Sequence, residues 1–268
     1  MIRSAAIGAV LIPLVLAGCG SGDEDETDDP ATTEKIRLPH GQDKFKLDAA
    51  ELSPDVTNPW FPLEPGTRWT YREVDEDGQV LEVVVTATPL TRTIANGVEA
   101  RVVRDTVTQD GEIVEDTLDW YAQDARGTVW YLGEDTAEFE DGRVSSRDGS
   151  FEAGVDGALA GIVMPAEPAV GDAYRQEYSA GVAEDQGAVL ALDARASVPA
   201  GTYDELVQTA DTNPLEPDAL ENKFFARDVG AVLTLDVATG GREALLAVTT
   251  VPDAEARRAA TSPLGRAY

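Results

Sequence analysis

The amino-acid sequence predicts an all-β protein whose strands are mainly antiparallel. From residue 60 onward, runs rich in Val, Thr, Trp and Tyr alternate with Asp-Gly and Asn-Gly pairs. Such pairs favour the tight turns between paired strands, because Asn, Asp and Gly tolerate the positive φ that these turns require. Helical periodicity is weak, apart from a short candidate helix at residues 254–260. The turn pairs occur at residues 77–78, 96–97, 110–111, 141–142 and 148–149.

The predicted strands of the first half follow one another closely along the chain. Because consecutive antiparallel strands usually pair with their neighbours, this order predicts a meander. An acidic stretch at residues 134–141 is expected in a loop or hairpin after these strands. The strands are predicted at residues 67–75, 79–88, 98–108, 113–121 and 128–132.

The chain repeats its own pattern after roughly a hundred residues, the size of a small domain. Residues 61–65 (FPLEP) are echoed by residues 164–168 (MPAEP), and each copy is followed by a glycine and an aromatic strand. Residues 120–124 (WYAQD) are echoed by residues 224–228 (FFARD) at nearly the same separation. The agreement between these separations indicates a duplication.

We therefore predict a duplicated β-meander that forms a curved sheet, a sandwich or an open barrel, with few short helices. Repeat one spans about residues 58–150 and repeat two about residues 160–252. Residues 150–163, rich in Gly and Ala, are expected to cross between the halves. One shared core is favoured over two separate ones, because two halves together bury more apolar surface.

The N-terminal segment predicts export and lipid attachment. Arg3 precedes an apolar run at residues 5–16, which is too short to span a bilayer. The sequence Leu-Ala-Gly-Cys that ends at Cys19 resembles the lipobox of bacterial lipoproteins, whose signal peptidase cuts before the cysteine. The resemblance implies a signal peptide at residues 1–18 and a diacylglyceryl group with fatty acyl chains such as palmitate on Cys19. It also implies an extracytoplasmic, lipid-anchored place in the bacterial cell envelope.

Residues 19–57 are predicted to be an acidic, flexible tether between the anchor and the folded part. The acidic residues at positions 23–29 repel one another and extend the chain. Cys19 is the only cysteine, so its lipidation would leave no thiol for a disulfide. Residues 253–268 are expected to form a C-terminal tail beyond the β domain at residues 58–252.

Two further motifs carry a resemblance to known proteins. Residues 58–66 (NPWFPLEPG) run on to Trp69 and Tyr71, and residues 221–230 read ENKFFARDVG. Both segments resemble uncharacterised families of bacterial lipoproteins and secreted proteins. The resemblance implies membership of such a family and no particular reaction, so it assigns no functional residues.

Charge and composition exclude several classes of function. The formal net charge is −29, and such a surface repels nucleic acid and anionic lipid head groups. His40 is the only histidine and lies in the predicted tether, and Cys19 is assigned to the lipid. Neither a Ser-His-Asp triad nor a transition-metal site is therefore expected.

Calcium is the one cofactor that the acidic side chains leave open. Asp75 and Asp77 fall in a stretch that resembles the start of an EF-hand loop, but Val84 stands where a bidentate glutamate is needed. A hairpin turn is the better interpretation of that stretch. Glu134 and Asp135 belong to a second acidic cluster and complete the candidate calcium ligands.

The aromatic side chains of the first repeat are candidates for a ligand pocket or for core packing. In the second repeat, Leu233 and Thr234 replace the aromatic pair at positions 130–131, so a pocket specific to the first half would lie there. The candidate pocket residues are Trp69, Tyr71, Trp120, Tyr121, Trp130 and Tyr131.

The sequence favours a non-catalytic binding or interaction protein whose partner is a small apolar ligand or another envelope protein. Curved sheets readily enclose cavities for such ligands. A carboxylate-based hydrolase is one alternative, and it requires two carboxyl groups about 5–10 Å apart beside aromatic side chains. A calcium-stabilised adhesion module is the other.

Overall fold

The structure, a computed structural model, describes residues 38–45 and 47–268, and its regular elements are almost all β-strands. A short 3₁₀ helix, Ala49–Glu51, precedes the strands and one α-helix, α1 (Asp253–Thr261), follows them. The strands are β1 (Leu52–Ser53), β2 (Thr67–Val74), β3 (Val80–Thr93), β4 (Glu99–Gln109), β5 (Glu112–Asp124), β6 (Val129–Glu140), β7 (Arg143–Ser146), β8 (Phe151–Glu152), β9 (Leu159–Met164), β10 (Ala173–Arg175), β11 (Glu177–Tyr178), β12 (Gln186–Val198), β13 (Gly201–Asn213), β14 (Glu216–Ala226), β15 (Gly230–Asp236) and β16 (Arg242–Thr250).

The predicted turn pairs lie at the ends of these strands. Four of the five join strands that pair with each other, namely β2 with β3, β3 with β4, β4 with β5, and β6 with β7. At residues 110–111 and 141–142 both turn residues have positive φ, as such hairpins require. The fifth pair, at residues 148–149, connects β7 and β8, which both pair with β6.

The strands form one antiparallel, nearly closed sheet. Its order is β10-β12-β13-β14-β15-β16-β2-β3-β4-β5-β6-β9-β11. The two ends of this order, β10 and β11, are consecutive in the chain. β10 pairs with β12 at one end of the sheet, and β11 pairs with β9 at the other. Residues 173–178 therefore close the sheet from both sides. The predicted all-β, mainly antiparallel fold class is confirmed, and of the three predicted shapes the sheet takes the barrel-like one.

Both halves of the chain contribute to one hydrophobic core. Buried side chains such as Trp69, Val103, Leu206 and Phe225 belong to the same cluster. β16, the last strand, pairs with β2, the first long strand, so the halves share a continuous sheet. The duplication itself stays a prediction from the sequence.

The tether boundary predicted at residue 57 is too late in the chain. Val56 is buried in the core and β1 pairs with β5. Phe45 lies against Trp130, with ring centroids 5.2 Å apart. The described part of the predicted tether therefore covers the outer face of β5 and β6. Large apolar side chains on that face are stabilised when another segment shields them from water. Cys19 and the predicted signal peptide lie outside the described residues.

Residues 253–268, predicted as a C-terminal tail beyond the β domain, pack against the sheet. Helix α1 contains the predicted helix at residues 254–260 and buries Ala256 and Ala259 against the sheet. The chain end follows it, and the Tyr268 hydroxyl lies 3.2 Å from Thr106 Oγ1 on β4. No helix within the described residues has the length and apolar character needed to cross a membrane.

One further expectation is corrected and another is narrowed. The predicted crossover at residues 150–163 contains β8 and most of β9, which both pair with β6. The acidic stretch at residues 134–141, expected in a loop or hairpin, lies in a hairpin: β6 continues through residue 140 and pairs with β7, and Asp141 is in the turn between them. Asp135 lies on the opposite face of this strand from Glu134 and pairs with Arg147, so the acidic side chains do not form a single cluster.

Candidate functional site

A cavity of about 510 Å³ lies inside the curved sheet. Strand alternation explains its lining, because every second side chain of a strand points to the same face. On β2 these are Trp69, Tyr71 and Glu73, and on β14 they are Glu221, Lys223 and Phe225. Apolar and acidic side chains therefore share the inner face of the same strands.

Aromatic rings form one wall of the cavity. Phe61 lies between Tyr121 and Phe225, with ring centroids 5.3 Å and 6.4 Å away. Trp69 Nε1 donates a hydrogen bond to the carbonyl of residue 229 at 2.6 Å, and the Tyr71 hydroxyl donates to that of residue 231 at 3.0 Å. These bonds fix the rings on β2 against the start of β15, so the wall is preformed. We call Phe61, Trp69, Tyr71, Tyr121 and Phe225 the aromatic wall.

Acidic side chains dominate the rest of the lining. Of the described residues around the cavity, thirteen are acidic and two, Lys223 and Arg242, are basic. Lys223 Nζ lies 2.7 Å from Asp211 Oδ2 and 3.4 Å from Glu221 Oε2. Burial lowers the pKa of Lys223, but these carboxylates outweigh burial and hold the pKa above its usual value. The lysine charge is therefore neutralised by its own neighbours.

Four buried carboxyl groups gather at the closing strand, and we call them the carboxyl cluster: Asp119, Glu134, Glu177 and Asp185. Each side chain is at most 9% exposed. Burial raises the pKa of Asp119 to about 6 and that of Glu177 to about 8, where Asp185 adds to the effect. Burial also raises the pKa of Glu134 and of Asp185. Charged carboxylates are thus costly here without a cation.

Tyr131 connects two members of this cluster. Its hydroxyl lies 2.7 Å from Asp119 Oδ1 and 2.8 Å from Glu134 Oε2. A phenol has one proton and can donate to only one of them, so the other contact requires a protonated carboxyl that donates to the phenol oxygen. One proton is therefore shared over the two carboxyl groups, in agreement with their raised pKa values.

Four of the six predicted pocket residues line the cavity: Trp69, Tyr71, Tyr121 and Tyr131. Trp120 and Trp130 are their strand neighbours and point to the outer face, as alternation requires. Arg92 lies 4.0 Å above the Trp120 ring, and Trp130 packs under residues of the N-terminal segment. The outer pair therefore packs in the fold away from the cavity.

The predicted calcium ligands do not meet. The Asp75 carboxylate accepts backbone hydrogen bonds from residues 77 and 79 and so stabilises its own turn. Glu134 belongs to the carboxyl cluster, whereas Asp135 faces out and pairs with Arg147 at 2.6 Å. Asp77 lies with Asp75 in the turn between β2 and β3, at the edge of the cavity. In the part of the chain that the structure describes, no three His, Cys, Asp or Glu side chains are placed to hold a metal ion.

Sequence reasoning missed Asp119, Glu177, Asp185 and Lys223. The pattern Glu221, Lys223, Phe225 on β14 has a period of two and reaches the cavity, so a signal was present there. From the sequence alone, the charged residues of this pattern are assigned to the solvent-exposed face of a strand, because the closure of the sheet is not known. Glu177 and Asp185 lie on and beside the closing segment, which is too short to stand out as a strand.

Comparison with known proteins finds two solved structures of low similarity. One, described as an exported protein with a YmcC-like fold from Bacteroides fragilis, aligns with a TM-score of 0.41 and 12% identity over 71% of this chain and 99% of that chain. The other, described as a lipoprotein from Parabacteroides distasonis, aligns with a TM-score of 0.39 and 14% identity over 71% of this chain and 98% of that chain. No family model matches the chain, and neither does any curated protein.

Proposed function

We propose that this chain is a non-catalytic binding protein of the bacterial cell envelope. It is held to the membrane by a lipid on Cys19 and takes a small molecule with apolar surface into the cavity of its sheet. The proposal rests on the cavity of about 510 Å³, a volume typical of small-molecule sites. The lipobox supports the location.

The aromatic wall favours binding as the role of this cavity. Its rings present apolar faces, while the Trp69 and Tyr71 polar atoms are bonded to backbone carbonyls. Side chains fixed in this way are preorganised, so a ligand would not have to order them on binding. Their faces offer stacking and apolar contact to a guest molecule.

A carboxylate hydrolase remains the second candidate, because one observation favours it. Asp119 and Glu134 contact the same Tyr131 hydroxyl, which gives a proton-sharing pair next to the cavity. Their raised pKa values suit a general acid. Both groups are nevertheless engaged with Tyr131, so binding is the better supported function.

Titration with N-phenyl-1-naphthylamine tests the binding function. This uncharged apolar dye brightens when it leaves water, and the titrated chain begins at residue 20, so it contains every residue that the structure describes. We expect one saturable site. Val85, which lines the cavity, is replaced in Val85→Trp to fill it, and this variant should weaken dye binding at least tenfold.

The control is Val248→Trp, because Val248 is 43% exposed on β16. Its affinity for the dye should stay within twofold of the unaltered chain. Circular dichroism confirms that each variant folds. A folded, unaltered chain that binds no dye would contradict the proposal.

A further inference from the structure

We propose that the ligand is an organic cation, a protonated amine that carries an apolar group. Its charge would lie at the carboxyl cluster and its apolar part against the aromatic wall. This inference rests on the proposed function and names the chemical class of the ligand.

The charge of the cavity is the first argument. Thirteen acidic side chains line it, and the Lys223 ammonium is already paired with Asp211 and Glu221. An anionic ligand would be repelled by the ionised carboxylates among them, most strongly by the buried ones. A cation would instead offset the cost of the buried carboxylates, which is large when no counter-charge is near.

Asp185 supplies an independent argument. Its side chain is 6% exposed and lines the cavity, and among the described residues none provides a hydrogen-bond partner for Oδ1. A buried acceptor without a partner is costly, and native proteins leave few of them. An ammonium N–H in the cavity would satisfy this oxygen with a charge-assisted hydrogen bond.

The aromatic side chains near the cluster suit the same ligand. Tyr131 stacks on Tyr121 with centroids 4.9 Å apart, and Tyr131 also contacts Asp119 of the cluster. Carboxylates and electron-rich ring faces thus lie side by side. Organic cations are attracted to such faces, while their alkyl or aryl parts need the apolar contacts that the wall provides.

A bare metal ion fits these side chains less well. Calcium needs six to eight oxygen ligands converging at short distance. The described residues include no such group of acidic side chains, and one side of the cavity is aromatic. The combination of separated carboxyl groups and a large apolar wall matches an ion with both charge and hydrocarbon surface.

Competition between three decyl compounds tests the ligand class. Decylammonium (protonated decylamine), decyl sulfate and decanol carry the same chain on a cationic, an anionic and an uncharged head group. Each is titrated against the naphthylamine dye bound to the chain from residue 20. We expect the cation to displace the dye at a concentration at least tenfold lower than decanol does, and the sulfate to be the weakest.

The variant Asp185→Asn tests whether the cationic group of the ligand lies next to Asp185. We expect it to weaken the ammonium compound at least fivefold and to leave the uncharged dye and decanol within twofold. Asp193→Asn removes an exposed acid from β12, changes net charge equally and should have no effect. Equal potency of the three compounds, or equal effects of the two variants, would overturn the cation proposal while dye binding still stood. Loss of all dye binding in the unaltered chain would instead refute the binding function.

Discussion

Arg104 and Asp116 form a fully buried, two-pronged ion pair between β4 and β5, and the C-terminal segment closes over it. Neither side chain is exposed. The guanidinium also donates to the carbonyl of residue 262 at 2.9 Å, and the amide of Gly265 donates to Asp116 Oδ2 at 2.7 Å. The pair thus satisfies itself and anchors the chain end after α1.

Arg104→Ala should destabilise the fold by about 3–5 kcal/mol, because it leaves the Asp116 carboxylate buried and unpaired. Urea unfolding of the chain from residue 20 measures this. Arg195 pairs with Asp204 at the surface, so Arg195→Ala should cost less than about 1 kcal/mol. Equal decreases in the free energy of unfolding for the two variants would show that the buried pair stabilises the fold no more than the surface pair does.

Arg175 holds the N-terminal segment in a similar way. Its guanidinium donates to the carbonyls of residues 41, 43 and 160, and its backbone amide donates to that of residue 39 at 2.7 Å. A lysine cannot reach these acceptors together, since its three N–H donors share one nitrogen and lack the spread of the planar guanidinium. Arg175→Lys should therefore speed hydrogen exchange at residues 38–45.

Mass spectrometry reads that exchange, and the peptides of β3 and β4 serve as an internal reference. Arg126→Lys replaces an exposed arginine in the turn between β5 and β6 and should leave the exchange at residues 38–45 unchanged. If Arg175→Lys also left it unchanged, the guanidinium would not be what holds the segment.

The features of this fold that could be predicted from the sequence are those determined by residues close together in the chain. The turn at residues 77–78 and the alternation of Trp69 and Tyr71 on β2 depend on neighbours along the chain, and both are found. The helix near residue 254 is likewise a local pattern. These features could be predicted because residues close in sequence determine them.

The features that the sequence left open depend on contacts far along the chain. Phe45 meets Trp130, and Glu177 comes near Asp119, only after the sheet has curved and closed. An acidic residue on a strand usually faces water, so the sequence pattern assigns the cluster to the outside. Closure of the sheet places these residues inside, and no sequence pattern near them predicts that closure.

Cys19 provides a test of the predicted anchor. The full-length chain, produced in a bacterium, should incorporate labelled palmitate and sediment with membranes. Cys19→Ala should lose the label, because the thiol is the site to which the lipid is attached in the lipoproteins that the lipobox resembles. Ser21→Ala, two residues away, should keep it. Label on the Cys19→Ala chain would rule out lipidation at this residue.

Gly161 tests the closure of the sheet. A Cβ at this position on β9 would lie 2.1 Å from the backbone oxygen of Gln176, in the closing segment. Gly161→Ala should push that segment away and cost about 2–3 kcal/mol in urea unfolding. Gly241→Ala is the control, because the nearest atom to its Cβ lies 3.4 Å away. Equal stabilities of the two variants would mean that the close approach at Gly161 is absent.

The carboxyl cluster should make the protein less stable as the pH rises. Carboxyl groups of the unfolded chain titrate near pH 4, whereas in the folded chain burial raises the pKa of Asp119 to about 6 and of Glu177 to about 8. The folded state therefore binds more protons than the unfolded state between these values. Stability is then highest on the acidic side and falls as the pH rises through the folded pKa values.

Urea unfolding at about pH 5 and about pH 8 measures this decrease, which should reach at least about 1 kcal/mol. Glu177→Gln removes one titrating group and should make the decrease smaller, mainly by raising stability at the higher pH. Glu140→Gln changes an exposed acid on β6 and should leave the decrease as it is. A decylammonium-type ligand should also oppose the decrease, because a cation stabilises the ionised carboxylates. Stability that rose from pH 5 to pH 8 would show that these groups are ionised in the folded chain at low pH.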